Sequence, residues 1–161
     1  MNLNEEGPQI VRPLEAAQIP LMLPLARAYI EASGLPVQFG PAKVRQYWER
    51  LYEAQRGLLI GLWEGNDLVG VLGVHVIESM FGDGFAANEW VWWVVPSRRI
   101  GSGGLRLLRE AEAWSASRHL PLLVGAYDHQ NGELLAKFYD RRGFRRIGCQ
   151  FLLMPQGGSR V

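Results

Sequence analysis

The chain passes from an apolar run through a basic turn into a glycine-rich loop at Val94-Val95-Pro96-Ser97-Arg98-Arg99-Ile100-Gly101-Ser102-Gly103-Gly104-Leu105. The apolar run predicts a strand that the proline ends, and the residues after the glycines predict a helix. The first N–H groups of a helix have no partner within it, and the helix dipole favours negative charge there. Glycines allow close approach to an anion, and arginines add charge-assisted hydrogen bonds. The loop is therefore predicted to hold a pyrophosphate.

This loop does not match two common nucleotide-binding sequences. No lysine follows the glycines as it does in a P-loop, and the spacing G-x-G-x-x-G is absent. A P-loop nucleotidase and a Rossmann dehydrogenase are therefore disfavoured. Two alternatives stay open from the loop alone: an unrelated phosphate- or nucleotide-binding domain, and an ordinary strand-to-helix turn with two surface arginines.

The pattern on either side of the loop predicts a mixed α/β (α+β) domain with a mixed sheet, in the order βααβββαβαβ. Strands are predicted at 9–12, 58–63, 68–77, 87–95, 122–127 and 144–154, and helices at about 15–33, 41–55, 103–118 and 131–142. The first helix is expected to begin near Pro20 or to be kinked, and to bury one stripe formed by Leu21, Leu25, Ala28 and Ala32. Residues 1–161 are expected to form a single domain with a flexible tail over 156–161.

The composition restricts the partners of the chain. Seventeen basic and sixteen acidic residues give a net charge of +1, which disfavours a broad basic face for nucleic acid or an anionic membrane. No apolar run reaches the ~18 residues that a membrane helix needs. The single Cys149 allows no intrachain disulfide and fits a reducing compartment, so we expect a cytoplasmic protein. Cys149 itself is expected to be buried in the last strand.

Two segments of the chain resemble motifs of the GCN5-related N-acetyltransferase (GNAT) superfamily. Arg98 to Gly103 matches that family's acyl-CoA-binding motif, Gln/Arg-x-x-Gly-x-Gly/Ala. A register one residue later, Arg99 to Gly104, keeps the usual spacing from the preceding proline but places Ser102 at the first glycine, so both registers stay open. The second segment, about 30 residues further on, reads Asn131-Gly132-Glu133-Leu134-Leu135-Ala136-Lys137-Phe138-Tyr139-Asp140-Arg141-Arg142-Gly143-Phe144 and resembles the family's Asn…Phe-Tyr…Gly-Phe segment. The tryptophan-rich strand also resembles that of members carried by tailed phages.

The resemblance implies a GNAT-like acyl-CoA N-acyltransferase fold with acetyl-CoA as co-substrate and no metal. In this family the strand before the loop parts from the next parallel strand, and the pantetheine arm lies in the gap. For this chain the implied gap lies between residues 92–95 and residues 122–127. The implied cofactor-binding residues are Trp92, Val94, Val95, Arg98, Arg99, Ile100, Gly101, Ser102, Gly103, Gly104, Leu105, Asn131 and Tyr139.

The resemblance also implies an acid and a base. Tyr139 stands where the family places a general acid, and a phenol can give a proton to a departing thiolate. Glu89 resembles the strand glutamate that some members use as general base. On an ideal strand Glu89 shares a face with Val91 and Trp93, and a bulge would break this parity. His75, His129 and ordered water are the alternative bases.

The implied activity is direct transfer of an acyl group from CoA to a primary amine of a small molecule or a protein. A non-catalytic acyl-CoA-binding or protein-interaction module with the same fold stays open, and so does a homodimer. The acceptor side is implied to lie among the first two helices and the loop 80–85, with the candidates Tyr29, Glu31, Phe39, Arg45, Tyr47 and Trp48.

Overall fold

The computed structural model describes residues 8–79, 82–99, 101–126, 131–149 and 151–153. These residues form five strands, β1 (Gln9–Pro13), β2 (Gly57–Glu64), β3 (Asp67–Glu78), β4 (Phe85–Val94) and β5 (Leu122–Leu123). The helices are α1 (Ile19–Ser33), α2 (Pro41–Glu53), α3 (Gly103–Ser117) and α4 (Gly132–Arg141), with short 3-10 turns at Ala16–Gln18 and Pro96–Arg98. The mixed α/β class and the predicted order, up to its last strand, are confirmed.

The strands lie in one sheet in chain order, β1-β2-β3-β4-β5. The first four are antiparallel neighbours, and β5 runs parallel to β4 with α3 as the crossover between them. β5 pairs with β4 at only two positions, Ala87 with Leu122 and Asn88 with Leu123. β4 continues to Val94, and among the described residues no strand pairs with its outer edge from residue 89 onwards, where the gap was expected.

The two faces of the sheet are covered by different helices. On one face α1 and α2 pack around the fully buried Trp48 and the strand residue Val91. On the other face α3 packs through Leu107 and Leu108 together with Tyr139 of α4. The inner face of α3 also includes Ala111 and Ser115, which are both buried.

The predicted buried stripe of α1 is confirmed only at Leu25, because Ala28 and Ala32 are half-buried and Leu21 is exposed. Leu21 is 49% exposed, whereas the residues that α1 buries are Ile19, Met22, Leu25, Ala26, Tyr29 and Ser33. The first turns of this helix carry apolar residues on every side, so their spacing does not select one face. The buried face is instead the one that includes Tyr29 and Ser33. The Ser33 hydroxyl donates a hydrogen bond to the carbonyl oxygen of Ile30 at 2.7 Å.

The predicted closing strand over residues 144–154 is also wrong for the residues that the structure describes. Residues 144–149 and 151–153 form no strand, and Phe151 and Leu153 are each 93% exposed. β5 contributes only two paired residues, which is too short an edge to order another strand beside it. Cys149 is accordingly exposed rather than buried.

The position of α4 is set by an ion pair and by aromatic packing. Arg142 at its end donates to both carboxylate oxygens of Glu112 on α3, at 2.9 and 2.6 Å from Nη2. The Tyr139 ring lies 5.2 Å from that of Phe144 and 6.2 Å from that of Trp92 on β4, measured between centroids. These contacts hold Tyr139 against the sheet next to its open edge.

Trp48 depends on a glycine in the strand beneath it. A Cβ atom added to Gly73 would lie 2.8 Å from Cζ2 of Trp48 and 3.0 Å from Cδ2 of Leu59. Both neighbours are fully buried, so neither side chain can move away without disturbing the α1/α2 core.

We predict that Gly73→Ala lowers the free energy of unfolding by about 1–3 kcal/mol, the usual cost of overpacking a core. The matched control is Gly82→Ala, because nothing lies within 4 Å of a Cβ atom there. Urea denaturation of both variants measures the difference. Equal midpoints for the two variants would contradict the close packing of Trp48 on β3.

Candidate active site

The glycine-rich loop contains two positions that only glycine fits. Gly101 has φ +87°, in the left-handed region that other residues rarely adopt. A Cβ atom on Gly103 would lie 2.7 Å from Oε1 of Gln9 and 2.7 Å from Cδ2 of Leu62. Ser102 between them has an ordinary φ of −101°. The structure therefore favours the register in which Gly101 and Gly103 are the motif glycines.

The start of α3 presents a group of backbone donors. The first hydrogen bond of the helix runs from the N–H of Arg106 to the carbonyl oxygen of Ser102, at 2.9 Å. The N–H groups of Gly103, Gly104 and Leu105 therefore have no partner within the helix. Together with the positive end of the helix dipole they form a site suited to a phosphate group.

The two arginines of the loop are both held by the protein. Arg98 forms an ion pair with Glu64 at 2.7 Å, and Glu64 also accepts a hydrogen bond from Gln9. Nε of Arg99 donates to the carbonyl oxygen of Val94 at 2.9 Å, and its guanidinium lies 4.4 Å from the centre of the Trp93 ring. Both side chains thus stabilise the turn after β4. Ile100 lies outside the described residues.

The open edge of β4 exposes the backbone of alternate residues. The N–H of Val95 donates to Val69 on β3 at 2.9 Å, and its carbonyl oxygen accepts from the N–H of Arg98 at 2.8 Å. The N–H of Val95 is therefore taken up by β3, and the cofactor contact expected for Val95 stays a prediction. Because strand residues alternate, the backbone groups of Trp92 and Val94 face the open edge, where the carbonyl oxygen of Val94 already accepts from Arg99.

A bulge in β4 determines where Glu89 lies. Val91 pairs with Gly73 on β3 and Glu89 pairs with Val74, so Trp90 is an extra residue without a partner of its own. Val91 packs into the α1/α2 core, but Val74 belongs to the α3/α4 face. The parity of the ideal strand is broken, and Glu89 stands at the point where β4 parts from β5.

The Glu89 carboxylate bridges this opening. Its Oε2 accepts a hydrogen bond from the N–H of Gly125, just beyond β5, at 3.1 Å. Burial raises the pKa of Glu89 to about 7, although the hydrogen bonds from Gly125 and from the Tyr139 hydroxyl act in the opposite direction. A carboxyl group with this pKa exchanges protons near neutral pH.

Tyr139 lies beside Glu89 and keeps its proton. Its side chain is buried, and its hydroxyl donates to the carbonyl oxygen of Gly125 at 3.1 Å. Burial raises the pKa of Tyr139 above its ordinary value, and the nearby Glu89 and Tyr29 raise it further. The structure thus brings the predicted pair Glu89 and Tyr139 together, and adds Gly125 and Tyr29, which the sequence analysis did not connect with them.

Gly125 and Tyr29 leave different signals in the sequence. Gly125 contributes only backbone atoms, and nothing but its place at the end of a predicted strand marks it. Tyr29 lies on α1 among apolar residues. A tyrosine that only packs its ring into the core would stand in the same sequence pattern, so the sequence does not distinguish the two roles.

The remaining sequence-based candidates lie elsewhere. His75 is held between Tyr47 and Asn88, and burial lowers its pKa below the ordinary value, so it is neutral. Asn131 is exposed at the start of α4 with a left-handed φ of 60°, beside an open surface depression. Trp48 belongs to the core, and His129 lies outside the described residues.

One comparison with known families decides the classification. The model of the acetyltransferase (GNAT) family matches residues 25–144. The chain belongs to the GNAT acetyltransferase family. No curated protein sequence matches this GNAT chain.

Solved structures share the fold of this GNAT domain at low sequence identity. A predicted acetyltransferase of Clostridium acetobutylicum, crystallised with acetyl-CoA, is 14% identical with a TM-score of 0.74, covering 91% of this chain and 96% of that one. A GCN5-related N-acetyltransferase of Ralstonia eutropha JMP134 is 19% identical with a TM-score of 0.69, covering 94% and 100%. An aminoglycoside acetyltransferase from an uncultured soil sample is 18% identical with a TM-score of 0.68, covering 92% and 99%.

The described part of this GNAT chain holds neither a candidate membrane span nor a candidate metal cluster. None of its helices is both long enough and apolar enough to cross a membrane. In the same residues no group of three or more histidine, cysteine, aspartate or glutamate side chains is placed to hold a metal ion.

We predict that the raised pKa of Glu89 makes the stability of the protein depend on pH. Between about pH 4.5 and pH 7 the folded state holds a proton on Glu89 that the unfolded chain has released, so stability falls as the pH rises through this window. Relative to Glu89→Gln, the wild type should lose up to about 3 kcal/mol across it. Urea denaturation at a series of pH values measures the difference.

The matched control is Glu110→Gln, which removes an exposed carboxylate from α3. Its stability curve should run parallel to that of the wild type. Parallel curves for Glu89→Gln as well would contradict a raised pKa at Glu89.

Proposed function

We propose that this GNAT protein is an acetyl-CoA-dependent N-acetyltransferase that transfers the acyl group directly to a primary amine. The observation that carries this proposal is the pair Glu89 and Tyr139 at the opening between β4 and β5. One is a carboxyl group with a pKa near neutrality, and the other is a phenol that stays protonated.

The described residues fit acetyl-CoA along a continuous path. The N–H groups of Gly103, Gly104 and Leu105 suit the pyrophosphate, and the side of Gly101 where a Cβ would stand is open space. From there the outer edge of β4, through Val94 and Trp92, leads towards Glu89. When bound, acetyl-CoA supplies a thioester whose carbonyl carbon an amine can attack.

Glu89 and Tyr139 can complete a proton cycle in this reaction. The amine nitrogen bonds to the carbonyl carbon, the carbon–sulfur bond breaks, and Glu89 takes a proton from the nitrogen. Tyr139 gives its proton to the departing sulfur. Because the Tyr139 hydroxyl also lies within hydrogen-bonding reach of Glu89, the proton taken from the amine can return to the phenol.

The proposal also covers the acceptor, that is, the amine that receives the acyl group. Tyr29 and Tyr47 come from α1 and α2, the helices that cover the α1/α2 face of β4, and we infer that an amine enters from this side. Aminoglycosides are a reasonable first acceptor to test, because one protein of similar fold is an aminoglycoside acetyltransferase. The cytoplasmic location, the homodimer and the phage source stay predictions.

We predict that Gly104→Pro weakens acetyl-CoA binding by tenfold or more, because proline removes one N–H donor from the phosphate site. Proline is tolerated in the first turn of a helix, and a Cβ at this position meets only the Trp92 ring, at 3.8 Å. The control is Gly104→Ala, which keeps the N–H group. Thermal melts with acetyl-CoA, CoA, ATP and NAD measure binding.

Acetyl-CoA and CoA should stabilise the wild type and Gly104→Ala, and should stabilise Gly104→Pro much less. ATP and NAD should have little effect. No stabilisation of the wild type by acetyl-CoA would overturn the cofactor assignment, and equal stabilisation by ATP would favour a general nucleotide-binding domain.

We predict that thiol release from acetyl-CoA in the presence of an amine rises with pH around a midpoint near 7, as Glu89 loses its proton. Glu89→Gln should lower kcat/KM by about 10²–10⁴-fold and remove this midpoint. Tyr139→Phe should lower kcat and move the midpoint to higher pH, because it removes a hydrogen bond that lowers the pKa of Glu89. Acetyl-CoA binding without turnover by any amine would instead favour the non-catalytic module.

A further inference from the structure

We propose that Tyr47, His75 and Asn88 form a positioning network that locks the bulge of β4 and so fixes Glu89 at the opening of the sheet. This inference rests on the proposed role of Glu89. It assigns no chemistry to His75, which the sequence analysis treated as an alternative base.

The three side chains form a continuous chain of hydrogen bonds across three elements. Oη of Tyr47 on α2 lies 2.5 Å from Nδ1 of His75 on β3. Nε2 of His75 lies 3.1 Å from Nδ2 of Asn88 on β4. The same Nδ2 donates to the carbonyl oxygen of Glu89 at 2.9 Å, so the chain ends on the backbone of Glu89.

The donor and the acceptor of each hydrogen bond follow from the bond between the Asn88 side chain and the carbonyl oxygen of Glu89. The carbonyl oxygen of Glu89 can only accept, so the Asn88 atom that faces it is the amide nitrogen. The second hydrogen of that nitrogen points to Nε2 of His75, which therefore accepts. A neutral imidazole with an accepting Nε2 carries its proton on Nδ1 and donates it to Tyr47. Burial lowers the pKa of His75 and keeps this neutral form.

Both ring nitrogens of His75 are occupied, so the ring has no free atom with which to take a proton from an amine. Its contacts are suited to holding β3, β4 and α2 together.

The network exists in only one register of β3 and β4. Asn88 stands opposite His75, and Glu89 stands opposite Val74. A slip of one residue would move Asn88 to the other face of the sheet and would move Glu89 away from Gly125. The His75–Asn88 hydrogen bond therefore selects the register that places the carboxylate in the opening.

The bulge is also held on its other side. The Tyr47 ring stacks on that of Trp90, the extra residue of the bulge, with centroids 6.3 Å apart and an angle of 29° between the planes. Tyr47 thus contacts the residue after Glu89 directly, and through His75 it reaches Asn88, the residue before it. We infer that α2 clamps the bulge from both sides of Glu89.

The test measures the titration of Glu89, which a merely structural network would not change. The groups that act on Glu89 and its partner are the N–H of Gly125 beyond β5, Tyr139 on α4 and Tyr29 on α1. Arg50 on α2 acts on Tyr47. Carboxyl carbon NMR on the full chain reports the Glu89 midpoint without any need for activity.

We predict that Asn88→Ala lowers the Glu89 midpoint by about one pH unit or more, because a loosened bulge admits water to the carboxylate. The midpoint of the pH–rate profile should fall with it, and kcat should fall about tenfold while KM for acetyl-CoA changes less than about twofold. Tyr47→Phe, which keeps the stacked ring, should give the same changes to a smaller extent. Asn66→Ala in the β2–β3 turn, an exposed residue, is the control and should change nothing.

An unchanged Glu89 midpoint in folded Asn88→Ala and in Tyr47→Phe would overturn the positioning role. Failure of the proposed function has a different signature. If the wild type transfers no acetyl group, or if Glu89→Gln is fully active, the role of Glu89 as base is wrong, and the NMR midpoints still decide whether the network positions it.

Discussion

The site depends on the separation of β4 from β5 after residue 88. Two residue pairs join these strands, and beyond them no strand of the described part of the chain lies beside the outer edge of β4. Unpaired strand backbone needs a partner, and a ligand that lies along the edge can supply one. The Glu89 carboxylate accepts the Gly125 N–H across this opening, so the same separation that admits a ligand also places a partly desolvated carboxyl group beside it.

This arrangement depends on the missing side chains of Gly103 and Gly73 and on the large rings of Trp92 and Trp48. Gly103 lets the start of α3 approach β1 and β2, which brings the helix N–H groups to the end of the open edge. Trp92 lies between that helix start and Tyr139, so one ring contacts both. On the opposite face Trp48 packs on Gly73 and supports the strand from behind.

The sequence predicts the features that depend on local pattern, and it misses those that depend on pairing between strands. The order of elements and the loop before α3 follow from periodicity, glycine and proline. The bulge at Trp90 does not, because it reflects which residues of β3 and β4 pair. The buried face of α1 and the missing strand after α4 also depend on tertiary contacts, as does the meeting of Glu89 with Gly125. The contacts of Arg98 with Glu64 and of Arg99 with the Val94 carbonyl oxygen are likewise tertiary, and the sequence does not predict them.

The most direct test of this account is a two-dimensional amide NMR titration of the full chain with CoA. We expect the largest shift changes at the N–H groups of Gly103, Gly104 and Leu105, and at Trp92 and Val94 on the outer edge of β4, with little change in β1 or α2. Changes confined to other surfaces, or no change at saturating CoA, would contradict a cofactor path along the opening between β4 and β5.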